Sequence, residues 1–260
     1  KTVISGDDGG IWYAYDGGSK WWKANNLPIS QFYHVSVDDA DPYQVYGGLQ
    51  DNSCWIGQSA YPGGITNAQW ENIFGGDGFH VFADPADQDY VYAEYQGGTA
   101  ARINRHTLEG RAIQPKANYK EKLRFNWNTP YFISPHASST IYAGGNRVLM
   151  STNRGDDFLP ISPDLSTRDM AKVRWSMDST GGITNDATGA ETYGTITTLA
   201  ESYVRPGQLM AGTDDGNVWI TRNNGAAWDN LTGRFPGVPP KAYVVRIEPS
   251  HFDAATFYIA

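Results

Sequence analysis

Apolar and polar positions alternate along this chain in short runs that recur at a regular spacing. Each run pairs two apolar strands around a turn rich in Asp, Pro and Ser. The copies are HVSVDDADPYQVYGG (34–48), HVFADPADQDYVYAEY (80–95), YFISPHASSTIYAGG (131–145), TTLAESYVRPGQLMAGT (197–213) and VVRIEPSHFDAATFYIA (244–260). Their spacing is about 47 residues with one gap of about 68, and a period of 40–50 residues predicts four-stranded propeller blades. The long gap contains an insertion near 166–192.

A second repeated element occurs three times, at 11–21, 149–158 and 218–228, and consists of a strand, a hairpin and an aromatic residue. Its skeleton is a small residue, then Asp or Asn, then Gly, then an aromatic, which is the Asp-box pattern. The Asp or Asn side chain accepts hydrogen bonds from turn amides, Gly supplies a positive φ, and the aromatic ring folds under the hairpin. The predicted structural residues are Asp16, Gly18, Trp21, Asn153, Gly155, Phe158, Asn223, Gly225 and Trp228. Looser versions end at Trp70 and near Ile113.

The strand count predicts an all-β chain over residues 1–260, built as a β-propeller segment of about four complete four-stranded antiparallel blades plus partial ones. The chain opens on one second strand, TVISG, and closes on another, TFYIA, with no polar tail at either end. We therefore expect an arc of a six- to eight-bladed propeller that is an internal part of a longer chain. Its open edges would be covered by the remainder of that chain or by a partner subunit.

Strand parity separates the loops of such a propeller into two faces. If strands A to D run from the inside of each blade outward, the Asp-box hairpins and A–B turns lie on the bottom face. The B–C loops and the connections between blades lie on the top face, where polar and aromatic side chains mixed with glycines are typical of a ligand site. The predicted ligand-binding residues are Gln50, Asp51, Asn52, Asp77, Glu94, Tyr95, Gln96, Arg124, Asn126, Trp127, Asn146 and Arg147. The alternative is that these side chains only form hydrogen bonds with the loop backbone and with each other.

The composition limits the classes of partner and of site that the chain can have. The formal net charge is −8, so a phosphate backbone is an unfavourable partner and nucleic acid is not expected. No apolar run reaches the length of a membrane span. The single Cys54 excludes an intrachain disulfide and a cysteine-based zinc site.

Seven segments together resemble one known group of proteins. They are GGLQDNS, ITNAQW, GGDGF, RFNWNTP, GGNRVLMSTNRGDDFLPISPDL, GTDDGNVWITRNNGAAW and VVRIEPSHFD, in this order along nearly the whole chain. The set is similar to the bacterial BNR/Asp-box, Vps10/sortilin-like propeller proteins, many of which are labelled glycosyl hydrolases by analogy with xyloglucanases. The resemblance implies an exported, extracytoplasmic protein, and it implies no specific reaction because the hydrolase label follows the fold.

A glycosidase needs two carboxylates across a cleft, about 5–5.5 Å apart for retention or about 6.5–9.5 Å apart for inversion. The candidates on the predicted top face are Asp51, Asp77 and Glu94, and Glu201 is a weaker one. No spacing in the sequence marks any two of them as an acid and base pair.

Two other kinds of chemistry stay open at this point. A sialidase would need an arginine cluster with a Tyr/Glu pair, for which Arg124, Arg147, Arg174, Tyr193 and Glu191 are available. A calcium ion could use the adjacent acids Asp7–Asp8, Asp156–Asp157 or Asp214–Asp215, although neighbours on a strand point to opposite faces. His34 and His80 hold similar A-strand positions, which favours core or channel packing over zinc.

The sequence therefore predicts an exported, non-catalytic binding module without a cofactor. Its top-face loops would contact a glycan, a peptide or a partner subunit. The alternative is a glycoside hydrolase that acts on a polysaccharide with a carboxylate pair on the same face.

Overall fold

The computed structural model describes residues 1–7, 10–27, 30–116, 122–178 and 192–260, without the side chains of 177 and 178. Asp8 and Glu191, named above as candidates for calcium and for a sialidase, lie outside the described residues. The chain divides into two compact units, Lys1–Gln31 and Phe32–Ala260, and each is described by itself.

The first unit contains one antiparallel sheet, sheet I, with β1 (Val3–Asp7), β2 (Gly10–Ala14) and β3 (Trp22–Lys23). The Asp16 carboxylate accepts the Ser19 and Lys20 amides at 2.9 and 3.1 Å, which closes the turn between β2 and β3. The Trp21 ring, expected to be buried, is 42% exposed. The described part of this unit has a single sheet, so no second layer within the unit covers the ring.

The second unit contains four four-stranded antiparallel sheets and one two-stranded sheet, and the strands of every sheet are consecutive in the chain. Sheet II contains β4 (Phe32–Val37), β5 (Gln44–Leu49), β6 (Cys54–Gln58) and β7 (Trp70–Phe74). Sheet III contains β8 (Gly78–Ala83), β9 (Tyr90–Tyr95), β10 (Thr99–Asn104) and β11 (Gly110–Ala112). Sheet IV contains β12 (Tyr131–Ser134), β13 (Ala137–Gly144), β14 (Val148–Ser151) and β15 (Leu159–Pro160). Sheet V contains β16 (Ile196–Glu201), β17 (Leu209–Thr213), β18 (Val218–Thr221) and β19 (Asp229–Asn230), and sheet VI contains β20 (Ile247–Pro249) and β21 (Phe257–Ile259).

Helical structure in the described residues is limited to two short segments. A 3-10 helix, Asn67–Gln69, lies between β6 and β7, and helix α1, Met170–Asp178, lies in the predicted insertion. Because everything else that is regular is antiparallel strand, the all-β fold class is confirmed, and α1 is the one element that the strand pattern did not indicate.

The core consists of four apolar layers, one between each pair of consecutive sheets in the second unit. Strand β9 shows how one strand serves two layers. Val91 and Ala93 pack in the layer shared with sheet II, whereas Tyr92 packs in the layer shared with sheet IV. Side chains alternate across a strand, so a strand between two sheets must be apolar on both faces.

Glycines let neighbouring sheets approach closely at one point of the inner strands. A Cβ atom on Gly48, in β5, would collide with the backbone of Gly78 and Phe79, in β8. A residue without a side chain is therefore required where β5 crosses β8.

A hydrogen bond and an ion pair connect sheets III and IV at the bottom face. The Tyr92 hydroxyl donates to the Asp84 carboxylate at 2.9 Å, and Arg154, from the β14–β15 hairpin, contacts the same carboxylate at 2.7 Å. Burial, together with Asp84, raises the pKa of Tyr92 to about 12. Asp38 and Tyr46 repeat the first half of this arrangement in sheet II, at 2.8 Å. The repeat therefore includes a Tyr–Asp hydrogen bond within each of these two sheets, and Arg154 links one of them to the next sheet.

The β18–β19 hairpin is closed by its own side chains. The Asn223 side-chain oxygen accepts the Ala227 amide at 2.9 Å, and the Thr221 hydroxyl accepts the Gly225 amide at 3.0 Å. The Trp228 indole donates to the Ile161 carbonyl at 2.9 Å. The β14–β15 hairpin has the same bonds, from Asp157 to Asn153 and from Gly155 to Ser151. Each hairpin is therefore closed locally, and in sheet V it is also tied to the preceding sheet.

A substitution at Gly225 tests the contact between the β18–β19 hairpin and the preceding sheet. Gly225 has a φ of 88°, and a Cβ atom there would collide with the Ile161 carbonyl oxygen. We expect Gly225→Ala to lower the free energy of unfolding by about 3 kcal/mol or more, since a left-handed backbone and a steric clash add. Gly237→Ala is the matched control, because its φ is 81° and a Cβ atom would meet nothing within 4 Å. That variant should lose only about 1–2 kcal/mol. Urea denaturation measures both, and equal losses would contradict the role given to Gly225.

Candidate functional site

The loop between β5 and β6, on the top face, has left-handed backbone at two residues other than glycine. Asp51 and Ser53 have φ values of 58° and 72°, in the left-handed region that residues other than glycine seldom adopt. The Ser53 amide donates to the Gly76 carbonyl at 3.0 Å, and the Trp55 indole donates to the Asn52 carbonyl at 2.5 Å. Strained backbone of this kind persists only where its surroundings impose it.

Asp77 imposes part of that conformation. Its carboxylate accepts the Asp51 amide at 2.6 Å, and its own amide donates to the Gln96 side-chain oxygen at 2.8 Å. The Gly97 amide, next in the same loop, donates to the Trp127 carbonyl at 3.0 Å. Loops from sheets II and III and the connection into sheet IV are therefore linked in one row. Of the predicted ligand-binding residues, this row contains Gln50, Asp51, Asn52, Asp77, Gln96 and Trp127.

Aromatic rings support the row. Tyr33 stacks on Phe79 with 4.2 Å between ring centroids, and Tyr95 packs on Phe74 at 5.0 Å. Burial raises the pKa of Tyr33, with smaller contributions from the charges of Asp77 and Asp51. Tyr33 was missed from the sequence, although its position immediately before the repeated histidine of the A strand was a usable signal.

Glu94 lies below this row and not on the exposed rim. Its side chain is only 1% exposed, and its carboxylate accepts the His80 amide at 3.3 Å. Burial raises its pKa well above the usual range, against the lowering effect of the backbone amides of His80, Gly98 and Thr129. Burial therefore favours the neutral carboxyl over the carboxylate at this position.

Arg124 and Asn146, both predicted for the rim, are buried around Asp164. The Arg124 guanidinium contacts the Asp164 carboxylate at 2.8 Å, and the Asn146 amide donates to it at 3.1 Å. Burial alone would raise the pKa of Asp164, but hydrogen bonds from Ser166, Arg124 and Asn146 outweigh burial and lower it. Arg124 also donates to the Gly194 carbonyl at 3.2 Å. These side chains hold the long connection between sheets IV and V.

Asn126 and Arg147, also predicted for the rim, likewise bond to segments beside the insertion. The Asn126 amide donates to the Thr195 hydroxyl at 3.1 Å, and the Arg147 guanidinium donates to the Ser162 carbonyl at 2.9 Å. Both of these bonds tie the segments that enter and leave the insertion.

The adjacent acids of the β17–β18 loop hold opposite ends of the insertion. Asp214 accepts the Gly194 and Thr195 amides, each at 2.9 Å, and Asp215 accepts the Thr167 amide at 2.7 Å and its hydroxyl at 2.8 Å. Burial raises the pKa of Asp214 to about 6, with a further contribution from Asp215 and against the bonds from Thr195 and Gly194. The sequence marked this pair only as a calcium or ligand alternative.

The remaining candidates are dispersed. Glu201 is buried at the bottom face, where it accepts the Ser134 hydroxyl at 2.6 Å and the Gly207 amide at 2.7 Å. Arg174, proposed beside Arg124 for a sialidase, donates to the carbonyl of Met170 in its own helix. Asp156 pairs with Arg102 at 3.1 Å.

Two features are absent from the described residues. These residues contain no group of three or more His, Cys, Asp or Glu side chains placed to hold a metal ion. No helix among them has the length and apolarity to span a membrane.

Comparisons with known proteins bear on the fold. No family model and no curated protein matches the chain. Among solved structures, a GH74 xyloglucanase from Xanthomonas campestris is 18% identical, with a TM-score of 0.45 over 86% of this chain and 34% of its own. The GH74 enzyme of Niastella koreensis is 12% identical, with a TM-score of 0.37 over 99% of this chain and 57% of its own. Chaetomium thermophilum Sqt1 is 14% identical, with a TM-score of 0.52 over 95% of this chain and 59% of its own.

The chain thus spans between 34% and 59% of the length of these three structures. The likeness to Sqt1, which has a WD40-like propeller, agrees with the consecutive four-stranded sheets and shows a propeller-type fold alone. The narrower resemblance to sortilin-like Asp-box proteins stays a prediction.

Asp214 yields a pH prediction. Its pKa in the folded chain, about 6, lies above the ordinary carboxylate value, so the folded state binds this proton more tightly than the unfolded state. We expect the stability of the wild type relative to Asp214→Asn to fall by about 2–3 kcal/mol as pH rises from 4 to 7. Urea denaturation at several pH values measures that difference. A slope of equal size in Asp229→Asn, at an exposed carboxylate of the bottom face, would contradict the assignment to Asp214.

Proposed function

We propose that this chain is a non-catalytic binding module whose ligand contacts the row of top-face loops between sheets II and IV. The observation that carries the proposal is the β5–β6 loop, in which Asp51 and Ser53 are held with left-handed backbone. Such strain concentrates at ligand-binding positions because it fixes side chains in one presentation before the ligand arrives. The bonds from Asp77 and Gly76 supply the constraint here.

The chemistry of the row favours a polar, uncharged ligand such as a neutral glycan. Asp51 and Asn52 are exposed, and Gln50 and Trp127 are half-buried. Amide and carboxylate groups hydrogen-bond hydroxyls, and half-buried aromatic rings offer apolar faces to a sugar ring. A polyanionic ligand would be repelled by Asp51, Asp77 and the net charge of −8. A peptide or a partner subunit is the other occupant that the binding assays must distinguish. We also propose an extracytoplasmic location, because the sequence resembles the exported Asp-box propeller proteins described above.

Glycoside hydrolysis is the second candidate, and Glu94 favours it, because burial raises its pKa as a general acid requires. Two features weigh against it. Glu94 is enclosed, and the Asp77 carboxylate is engaged by the Asp51 amide. A general acid must reach the glycosidic oxygen, so an enclosed carboxyl needs a rearrangement before it can act.

The left-handed loop separates a role in binding from a role in folding. We expect Asp51→Gly to leave the free energy of unfolding unchanged within about 1 kcal/mol, because glycine tolerates the positive φ at an entropic cost in the unfolded chain. The same variant should bind its ligand at least about tenfold more weakly, through loss of the side chain and of the fixed loop. Binding is measured on a panel of immobilised neutral polysaccharides and peptides, and hydrolysis is measured on the same polysaccharides.

Leu108→Gly is the matched control, since Leu108 has a φ of 59° and is exposed on the bottom face. It should change neither stability nor binding appreciably. Equal binding by wild type and Asp51→Gly would refute the assignment to this loop. Turnover that Glu94→Gln abolishes while the fold stays intact would establish the hydrolase instead.

A further inference from the structure

The β18–β19 hairpin contains the one Asn–Gly sequence of the chain, at Asn224 and Gly225. An asparagine in this sequence can lose its side-chain amide without an enzyme, because the nitrogen of the next residue attacks the side-chain carbonyl carbon. Glycine has no side chain to shield that nitrogen. Asn224 is exposed, so water reaches the reacting atoms. The local sequence and its exposure are therefore those of a deamidation site.

The backbone conformation of Asn224 opposes this reaction in the folded chain. Asn224 has a φ of 54°, in the left-handed region where ψ is about 30–60°. Closure of the ring requires the Asn224 Cβ and the Gly225 nitrogen to be nearly eclipsed about the bond between Cα and the carbonyl carbon. Left-handed backbone holds these two atoms well apart, so the folded hairpin does not present the reactive geometry.

Both reacting groups are also held by neighbouring residues. The Gly225 amide donates to the Thr221 hydroxyl at 3.0 Å, and a Cβ atom on Gly225 would collide with the Ile161 carbonyl oxygen. The Asn224 side-chain oxygen accepts the Tyr142 hydroxyl at 3.4 Å. Tyr142 belongs to β13 of sheet IV, and Ile161 directly follows β15 of the same sheet. Contact with sheet IV therefore holds the nucleophile and the side chain that it would attack.

Two further hydrogen bonds fix the hairpin in this position. The Asn224 amide donates to the carbonyl of Gly207, in the β16–β17 turn, at 2.9 Å. The Trp228 indole donates to the Ile161 carbonyl at 2.9 Å. The first bond lies within sheet V, whereas the second joins sheet V to sheet IV. Separation of the hairpin from Ile161 is the first requirement for reaction, because the turn has no room to change conformation before it.

We propose that Asn224 is a hydrolytic modification site that the contact with sheet IV keeps unreactive, and that it deamidates when this contact opens. In the open hairpin, the Gly225 nitrogen bonds to the Asn224 side-chain carbon. The side-chain amide leaves as ammonia with the proton that the Gly225 nitrogen loses. Water then opens the cyclic imide at either carbonyl and leaves aspartate or isoaspartate at this position. Water is the one co-reactant, and the proposal does not depend on the binding function proposed above.

The products make an opening of the hairpin permanent. Isoaspartate adds a methylene group to the main chain beside Gly225, where a single Cβ atom would already collide with Ile161. Aspartate keeps the length of the main chain but places a negative charge against the half of the turn that packs on sheet IV. Each reaction therefore weakens the contact between sheets IV and V, and the site limits how long the folded chain lasts.

Mass spectrometry of the whole chain tests the proposal. The protein is incubated in mildly alkaline buffer, folded or unfolded in urea, and aspartate and isoaspartate at position 224 are then quantified in the digested peptide. We expect the folded chain to react at least about tenfold more slowly, because only the opened fraction is reactive. Asn224→Arg is the control for the peptide assignment, since Arg154 has the same position in the β14–β15 hairpin with a φ of 62°.

A matched pair of variants tests the role of sheet IV. Trp228→Phe removes the hydrogen bond to Ile161 and should speed the reaction of the folded chain about threefold to tenfold. Trp219→Phe is the control, because the Trp219 indole donates to the Leu165 carbonyl at 2.8 Å at the opposite end of sheet V. It removes the same kind of bond and should leave the rate at Asn224 near that of the wild type.

Hydrogen exchange covers the case in which Trp228→Phe fails to fold. The Gly225 amide of the wild type should be protected from exchange, and conditions that speed its exchange should speed deamidation in the same proportion. Equal deamidation rates in the folded and unfolded chains, equal effects of the two tryptophan variants, or an unprotected Gly225 amide would each overturn the proposal.

Discussion

Face-to-face packing between successive sheets is the constraint on which the second unit depends. A four-stranded sheet cannot bury either of its own faces, so each one requires a neighbour on both sides. Strand β9 meets this requirement by sending Val91 and Ala93 to one neighbour and Tyr92 to the other. Because apolar residues fill both faces of each sheet, the polar side chains that could bind a ligand lie at strand ends, in loops and on the inner strands.

That confinement explains why so many acids of the top face act as anchors. Connections that leave a sheet carry backbone amides with no strand to receive them, and buried amides need acceptors. Asp77, Asp214 and Asp215 each accept such amides. A carboxylate used in this way holds a loop in place, and its geometry is determined by the loop more than by any substrate. The adjacent acids Asp214 and Asp215 therefore mark loop attachment points.

The sequence predicted the sheets well because their signals are local. Period-two alternation and turn residues place the inner strands near positions 34, 80, 131 and 197, and β4, β8, β12 and β16 lie there. Asp38 and Asp84 illustrate the turn signal, since each accepts an amide two residues further on. Such bonds depend on neighbours in sequence and can be read from one chain.

The site was harder to predict because its contacts join distant parts of the chain. Glu94 occurs at a strand end that parity assigns to the rim, yet it is buried, with the amides of His80, Gly98 and Thr129 around its carboxyl group. The contact between Arg124 and Asp164 joins residues that are 40 positions apart in the sequence, a pairing that no local pattern encodes. Helix α1 lies in an insertion outside the repeat, where the period gave no information.

Glu94 lies between the inner strands and the top-face loops. Its carboxylate accepts the His80 amide from the inner strands, and it lies near the amides of Gly98 and Thr129 beneath the top-face loops. Ionising it would cost the desolvation of a charge between two sheets, unless a cation appeared beside it. Because that cost favours the neutral carboxyl, Glu94 receives these amides without adding a negative charge between the inner strands and the top-face loops.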